Sequence, residues 1–428
     1  MIEVTTLAVV LAAAIAVFAA KQRRVLMALL VGVTGGLFAV QVLQMHVFTF
    51  AVLAWALSSR RAGSRLLPWQ AIVVLACSIP LALTALTGDL VNSPSLALQL
   101  LALATCSVIV VVNASRDDVS QMLMGLLSIS SFGCTWALLQ VAGIVPNDAW
   151  HLSVSALGRP TGIYPEPDWL GMYAGVGVVL AWRLGITPRW RVLLVSINAF
   201  ALVLAFARSP WIAVVASSVA ALFVAWIHGK RTKSGIRFRT HTGRLPSVVL
   251  LAVAGTAALI MLPSLRSDLT VRLSRTLVAA SDDVSAQARV QQNESLAYLA
   301  QTAPWFGHGI SSSGRVGVSG RINYGESPNN LGSNWIVSMW VDGAFLSLPL
   351  ILLLVGATIL AARHVQAHLL LLVLLSSIFS NAIFQPITWL LLALCLVELR
   401  IKREEGLALK KDKPTRASFS RAQVPSPS

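Results

Sequence analysis

Six side chains in the middle of the sequence have the types needed to grip an anion and to exchange a proton. Arg159, Glu166 and Asp168 lie in the stretch GRPTGIYPEPDWLG, Arg208 in FARSPWIAV, Arg289 in SAQARVQQ, and His308 in FGHGI. A guanidinium offers a planar fork of donors that grips phosphate oxygens bidentately, where a lysine is only a point charge. A carboxylate or an imidazole can act as a general base, or a carboxylate can orient an arginine. Each residue also has a plainer reading. Arg208 sits at the end of an apolar run, where arginines snorkel to the interface. Glu166 and Asp168 flank Pro167, and acids at a helix start complement its dipole. His308 between two glycines has the look of a satisfied loop residue. The functional reading requires the three arginines, which belong to separate elements, to converge on one anion. No HExxH, phosphate-loop or nucleophile-elbow spacing occurs, and Asp282–Asp283 reads as a helix cap, so the expectation is a site with no metal and no cofactor.

The elements that must position these residues are apolar. Of 428 residues 56% are hydrophobic and only 12% charged, against about a quarter charged in soluble domains. Apolar runs long enough to cross a bilayer recur from end to end. The fold class is therefore all-α, a polytopic helical membrane protein with about 12–14 transmembrane helices. Thirteen spans are expected, at about 4–20, 25–42, 43–59, 68–88, 95–113, 121–143, 168–186, 192–207, 210–227, 246–262, 344–362, 369–384 and 386–399. The first is read as a span rather than a cleaved leader, having no basic residues before it.

The formal net charge of +16 would suit a nucleic-acid binder if it formed one surface. It does not. Basic clusters such as KQRR (Lys21–Arg24), RRAGSR (Arg60–Arg65) and HGKRTKSGIRFR (His228–Arg239) punctuate alternate connections, and Lys/Arg excess marks the cytoplasmic side. The charge is a topology signal with anionic lipid as its partner, and no nucleic acid is expected. All seven lysines fall on that inner side, whereas eight arginines, Arg159, Arg208 and Arg289 among them, fall outside. Cys77, Cys106, Cys134 and Cys395 fall within expected spans and imply no disulfide framework.

Two outer connections are long. One, about Ile144 to Pro167, carries Arg159 and Glu166. The other spans nearly seventy residues, which in a compact protein signals function or independent structure. The chain is divided accordingly: a bundle of ten spans over 1–262, a large extracytoplasmic loop over 263–343, transmembrane helices over 344–399, and a disordered basic cytoplasmic tail over 400–428. Within the loop a helix is expected over about Val284 to Gln301, with Ser281 or Asp282 as cap and Pro304 and Gly307 as stops. The following SSSGRVGVSGRINYGESPNN is expected to be a mobile flap.

In this order, RPTGIYPEPDWLG, ARSPWIAV, ARVQQNESLAYLAQTAPWFGHG and SPNNLGSNWIVSMWVDGAFLSL resemble the O-antigen ligase and O-antigen polymerase superfamily, roughly from Arg159 to Leu350. These are membrane glycosyltransferases acting on polyprenyl-diphosphate-linked sugars. The resemblance implies that Arg208 and Arg289, with Arg159, hold the donor's diphosphate. Ligase-type members present a histidine at SPNN to activate the acceptor; this chain has Asn329 and Asn330. With no base there, Glu166, Asp168, Glu326 or His308 would serve, and Asn329, Asn330 and Glu326 would contact acceptor sugar. The resemblance thus implies an inverting, metal-independent polymerase of lipid-linked oligosaccharide repeats, multi-pass in the cytoplasmic (inner) membrane, with its active site on the extracytoplasmic side. Its partners would be that substrate, a glycan acceptor, membrane lipids and envelope-assembly proteins. The alternatives are ligase-type transfer to a different acceptor and, from a different class, a lipid-linked sugar flippase or transporter. A metal-using glycosyltransferase would have Asp89 as its only obvious outer-loop acid.

Overall fold

The computed structural model describes residues 23–37, 40–42, 44–58, 68–90, 93–146, 159–231, 284–317, 320–323 and 332–411, with the backbone alone at 228–231, 284–289 and 408–411. The spans expected at 4–20 and 246–262, the caps Ser281 and Asp282, and Glu326, Asn329 and Asn330 lie outside the described residues.

The described chain is helical apart from one two-residue hairpin. In order come α1 (Arg23–Gly35), β1 (Gln41–Val42), β2 (Met45–His46), α2 (Val47–Ser58), α3 (Trp69–Thr87), α4 (Pro94–Asn113), α5 (Arg116–Val141), α6 (Pro167–Arg183), α7 (Pro188–Leu204) and α8 (Arg208–Arg231). Then follow α9 (Val284–Thr302), α10 (Trp335–Gly343), α11 (Leu348–Leu360), α12 (Val365–Ser376) and α13 (Pro386–Lys411). α3, α4, α5 and Arg208–Ile227 of α8 are long and apolar enough to cross a membrane, and α2, α11 and α12 are shorter apolar helices. The chain is an all-α polytopic membrane protein.

Helix pairs close on small residues, as they do where lipid removes the hydrophobic drive between helices. A Cβ at Gly32 of α1 would lie 1.9 Å from the Met122 carbonyl oxygen of α5, and one at Gly125 of α5 would lie 2.0 Å from that of Leu29. The two backbones therefore touch, and no side chain fits between them. α13 runs through the core, with Ile387 and the run from Trp389 to Val397 buried.

At the Arg400 end the bundle is tied by charge. Ser115 and Asp118 form a reciprocal capping box at the start of α5, and Arg24 of α1 reaches Asp118 at 2.5 Å. Arg400 of α13 donates to the carbonyls of Val111, Val112 and Ala114, closing the end of α4 where helix carbonyls lack internal partners.

Two expectations about the spans are corrected. The segment expected as a span over 43–59 opens instead with the hairpin, Gln41 pairing with His46, and only Val47–Ser58 is helical. Likewise 369–384 is not one helix. α12 ends at Ser376, and residues 377–385 run as turns inside the protein. Non-helical backbone at membrane depth is tolerated only where protein or water satisfies it. Here internal bonds do so: Ser377 N donates to Val373 O, Gln385 N to Ala382 O, and Trp389 Nε1 to Ile383 O.

Candidate active site at the Arg208 end

The proline-rich segment before α6 is a buried plug. Thr161, Gly162, Ile163 and Tyr164 are all buried. Gln140 of α5 accepts from the amides of Thr161 at 3.2 Å and Gly162 at 2.8 Å through one oxygen. Gly162 has φ +64, and a Cβ there would sit 2.5 Å from the Gly133 carbonyl, so the turn admits glycine on two grounds. Tyr164 stacks on Tyr173 of α6, with centroids 4.5 Å apart and planes 4° from parallel. Arg159 is half-buried at the start of this segment, beside the buried Pro160.

α6 then begins at Pro167, a residue suited to the first helical turn because its missing N–H is not needed there. Glu166 occupies the N-cap position and is exposed; Asp168 lies in the first turn, half-buried. Gly171, three residues on and so on the same face, packs on Pro210, where a Cβ would meet the ring at 2.8 Å. Gly175, one turn further, packs on Val214. This small-residue face brings the first turn of α6, with Asp168, beside the start of α8, which opens on Arg208.

α8 starts abruptly. Phe206 takes φ +48, breaking α7 from α8, and Ser209 Oγ donates to Ser376 O at 3.0 Å. Trp335 N at the start of α10 donates to Ser377 O at 3.2 Å. Both the α8 and α10 N-termini are therefore moored to the turn after α12. Helix N-termini carry unpaired N–H groups and a partial positive charge. Asn334 caps α10 by accepting from Ile336 N and Val337 N.

α9, the turns after it and α10 make a cap with its own small core of Leu296, Leu299, Val316 and Val341. The helix expected over about Val284 to Gln301 is observed as Val284–Thr302. Arg289 lies in its second turn; its side chain falls outside the described residues. Gln292 lines the cap's interior. It donates to Val316 O at 3.3 Å and accepts from Ser333 Oγ at 3.0 Å.

His308 is turned inward. Nδ1 lies 2.9 Å from an Asp89 carboxylate oxygen, and Nε2 lies 3.1 Å from Leu299 O. Both ring nitrogens face protein acceptors, so His308 clasps the α3–α4 connection to the cap. Its backbone repeats the tie, with Leu90 N donating to His308 O at 3.2 Å and His308 N to Val341 O at 2.8 Å. Asp89 finds its role here too, as the other half of that clasp.

The residue that sequence reasoning missed is Asp342. It is 2% exposed, accepts from Ser313 N at 2.7 Å and Ser313 Oγ at 3.1 Å, and draws the Ser311 and Ser312 amides as well. Ser311 adopts φ +85, so successive N–H groups curl into a nest around the carboxyl. Burial outweighs those bonds and pushes the Asp342 carboxyl up to about 7. The expected flap is corrected over this part. Ser311, Ser312 and Ser313 are buried because Asp342 holds them, and Val316 bridges to Ile322. The available signal was an acid placed inside an apolar helix, WIVSMWVDG.

The comparison with known families falls on this ground. Residues 192–343 match the family model for O-antigen ligase. The O-antigen ligase match opens in α7, takes in Arg208, α9 and the His308 turn, and stops one residue after Asp342. Arg159, Glu166 and Asp168 lie upstream of it. It agrees with the superfamily resemblance drawn from the sequence and indicates an O-antigen-ligase-type function. No curated protein matches the chain.

Proposed function

We propose that this chain is an inverting membrane glycosyltransferase that takes its glycan from a polyprenyl diphosphate and joins it to a hydroxyl of another glycan, extending a surface polysaccharide. The observation that carries the reading is the Gly171–Pro210 contact, which sets an acid-bearing helix start beside an arginine-bearing one. In the reaction the acceptor hydroxyl oxygen attacks the anomeric carbon. The bond from that carbon to the diphosphate oxygen breaks, and its electron pair leaves with the diphosphate. Charge grows on the leaving oxygen. Fixed guanidiniums at Arg208, Arg159 and Arg289 stabilise it where it develops, a preorganised electrostatic term often the largest in catalysis. The acceptor proton passes to Asp168 or Glu166, since both nitrogens of His308 are engaged. Glu326, Asn329 and Asn330 then serve acceptor binding.

On this reading the Arg208 end is extracytoplasmic and the Arg400 end cytoplasmic, in keeping with the lysine distribution, and the polyprenyl chain stays among lipids between helices. Ligase-type transfer to a different acceptor is the second reading, and the family description favours it. The deciding assay gives the purified, lipid-reconstituted protein polyprenyl-diphosphate-linked oligosaccharide alone. A ladder of longer lipid-linked products is expected. Transfer only after a second acceptor is added would establish the ligase reading, and no transfer under either condition would sink both.

A further inference from the structure

Three polar side-chain atoms in one short segment are buried without a hydrogen-bond partner among the described residues: Oγ of Ser376, Nδ2 of Asn381 and Oε1 of Gln385. Ser376 is 0% and Gln385 6% exposed. Buried polar groups are paired as a rule, and each exception calls for a cause. The cause is not a poorly formed turn, because the neighbours' needs are met locally. Ser377 Oγ donates to Val373 O, Ser380 Oγ to Ser376 O, and Thr388 Oγ1 to Ala382 O. Asn381 spends its oxygen on Ile383 N at 3.1 Å, leaving its NH2 over.

The segment lies where the site's elements meet. Ser209, the residue after Arg208, is bonded to Ser376 O; α10 starts on Ser377 O; and His46 from the hairpin lies 3.1 Å from Phe384 O. The three atoms comprise a hydroxyl, an amide donor and an amide acceptor, with no charge. A phosphate would call for cations, and a polyprenyl chain would leave all three unpaired. A sugar ring carries hydroxyls that both donate and accept, and so complements such a set.

We propose that Ser376, Asn381 and Gln385 form a subsite for the hydroxyls of a sugar residue next to the diphosphate at Arg208. The proposal rests on the glycosyl-transfer reading, and it assigns the turn between α12 and α13 to sugar recognition.

The test compares the full-length protein with Ser376→Ala, Asn381→Ala and Gln385→Ala in lipid. Two probes are used: polyprenyl-diphosphate-linked oligosaccharide extracted from the source cells, and undecaprenyl diphosphate without a glycan. Thermal stabilisation by each probe and the concentration dependence of transfer are measured. Asn381→Ala and Gln385→Ala are expected to raise KM for the glycan lipid about tenfold, as the loss of one hydrogen-bonded contact would, with kcat little changed. They should also lose the extra stabilisation that the glycan gives while keeping that of undecaprenyl diphosphate. Ser376→Ala alone, without ligand, should be at least as stable as wild type, because the hydroxyl it removes has no partner among the described residues. Unchanged KM and unchanged glycan stabilisation would overturn the subsite, as would loss of both probes' stabilisation together. A wild type that transfers nothing yet keeps a glycan-specific shift, lost in the variants, would remove the transfer reading and support the subsite.

Discussion

Arg208 carries two kinds of information, a position and a charge, and they are separable by substitution. Arg208→Ala removes both and is expected to lower kcat by about 10²–10³, the usual cost of deleting one preorganised donor to a developing oxyanion. Arg208→Lys keeps the charge without the bidentate fork and should recover only part of it; full activity in the lysine variant would count against a diphosphate clamp. Asp168→Asn is expected to abolish transfer with the bundle intact, whereas Glu166→Gln, at an exposed cap position, should cost less. The reverse order would move the proton acceptor to Glu166. His308→Ala should act differently from both, by loosening the clasp to Asp89. Its signature is increased protease sensitivity of the cap, and a variant with intact cap protection but no transfer would return His308 to the chemistry.

At the scale of elements, the turn FGHGISSS is held by a glycine and an acid. Gly307 has φ +81, and a Cβ there would lie 2.5 Å from Asp342 O, so Gly307→Ala should displace the whole turn from α10 and lower thermal stability. Asp342 adds a pH dependence. Its folded carboxyl sits near 7 and its unfolded one near 4, so the folded state holds the proton more tightly. This contribution is full below about 4 and is lost as pH rises through about 7. Amide exchange at Ser311–Ser313 should quicken relative to the core between pH 5 and 8, and Asp342→Asn should flatten that trend; a pH-independent wild type would refute it. These elements also mark what the sequence made legible. The end of α9 followed from Pro304 and Gly307, and the α6 start from Pro167, because local chemistry ends or begins a helix. The break at Ser377 did not show, since SSIFSNAIFQP is apolar enough to read as a span and only tertiary bonds to Ser209 and Trp335 reveal it. The inward bonds of Gln292 stayed hidden for the same reason, its partners being some 24 and 41 residues away in sequence.

For the molecule as a whole, the two ends are held by different means. One is locked by Arg24–Asp118 and by Arg400 over three carbonyls; the other is moored by single bonds to turns. Arg400→Ala should cost about 2–3 kcal/mol, as loss of a buried charged donor does, read as a lower unfolding temperature in detergent with KM unchanged. A raised KM would mean that the locked end communicates with the site. The spans were legible as apolar runs, and the clusters of Lys and Arg between them supplied only their expected orientation. The site was readable only as a set of candidate arginines and acids, since the packing of the α6 start on the α8 start depends on Gly171 and Gly175 meeting Pro210 and Val214.

The short helices have a consequence for the surrounding bilayer. α2 has 12 residues and α11 has 13, and both expose apolar side chains, Phe50, Leu53 and Leu57 on α2 and Leu352, Val355 and Ile359 on α11. At about 1.5 Å per residue they are roughly 18–20 Å long, well under the ~30 Å hydrocarbon thickness. Lipid beside them must thin or tilt to match. A polyprenyl diphosphate drawn to that depression would find its headgroup already lowered toward Arg208, so acyl-chain length becomes a control on turnover. Reconstitution in lipids of increasing chain length should slow transfer progressively, with the protein still folded.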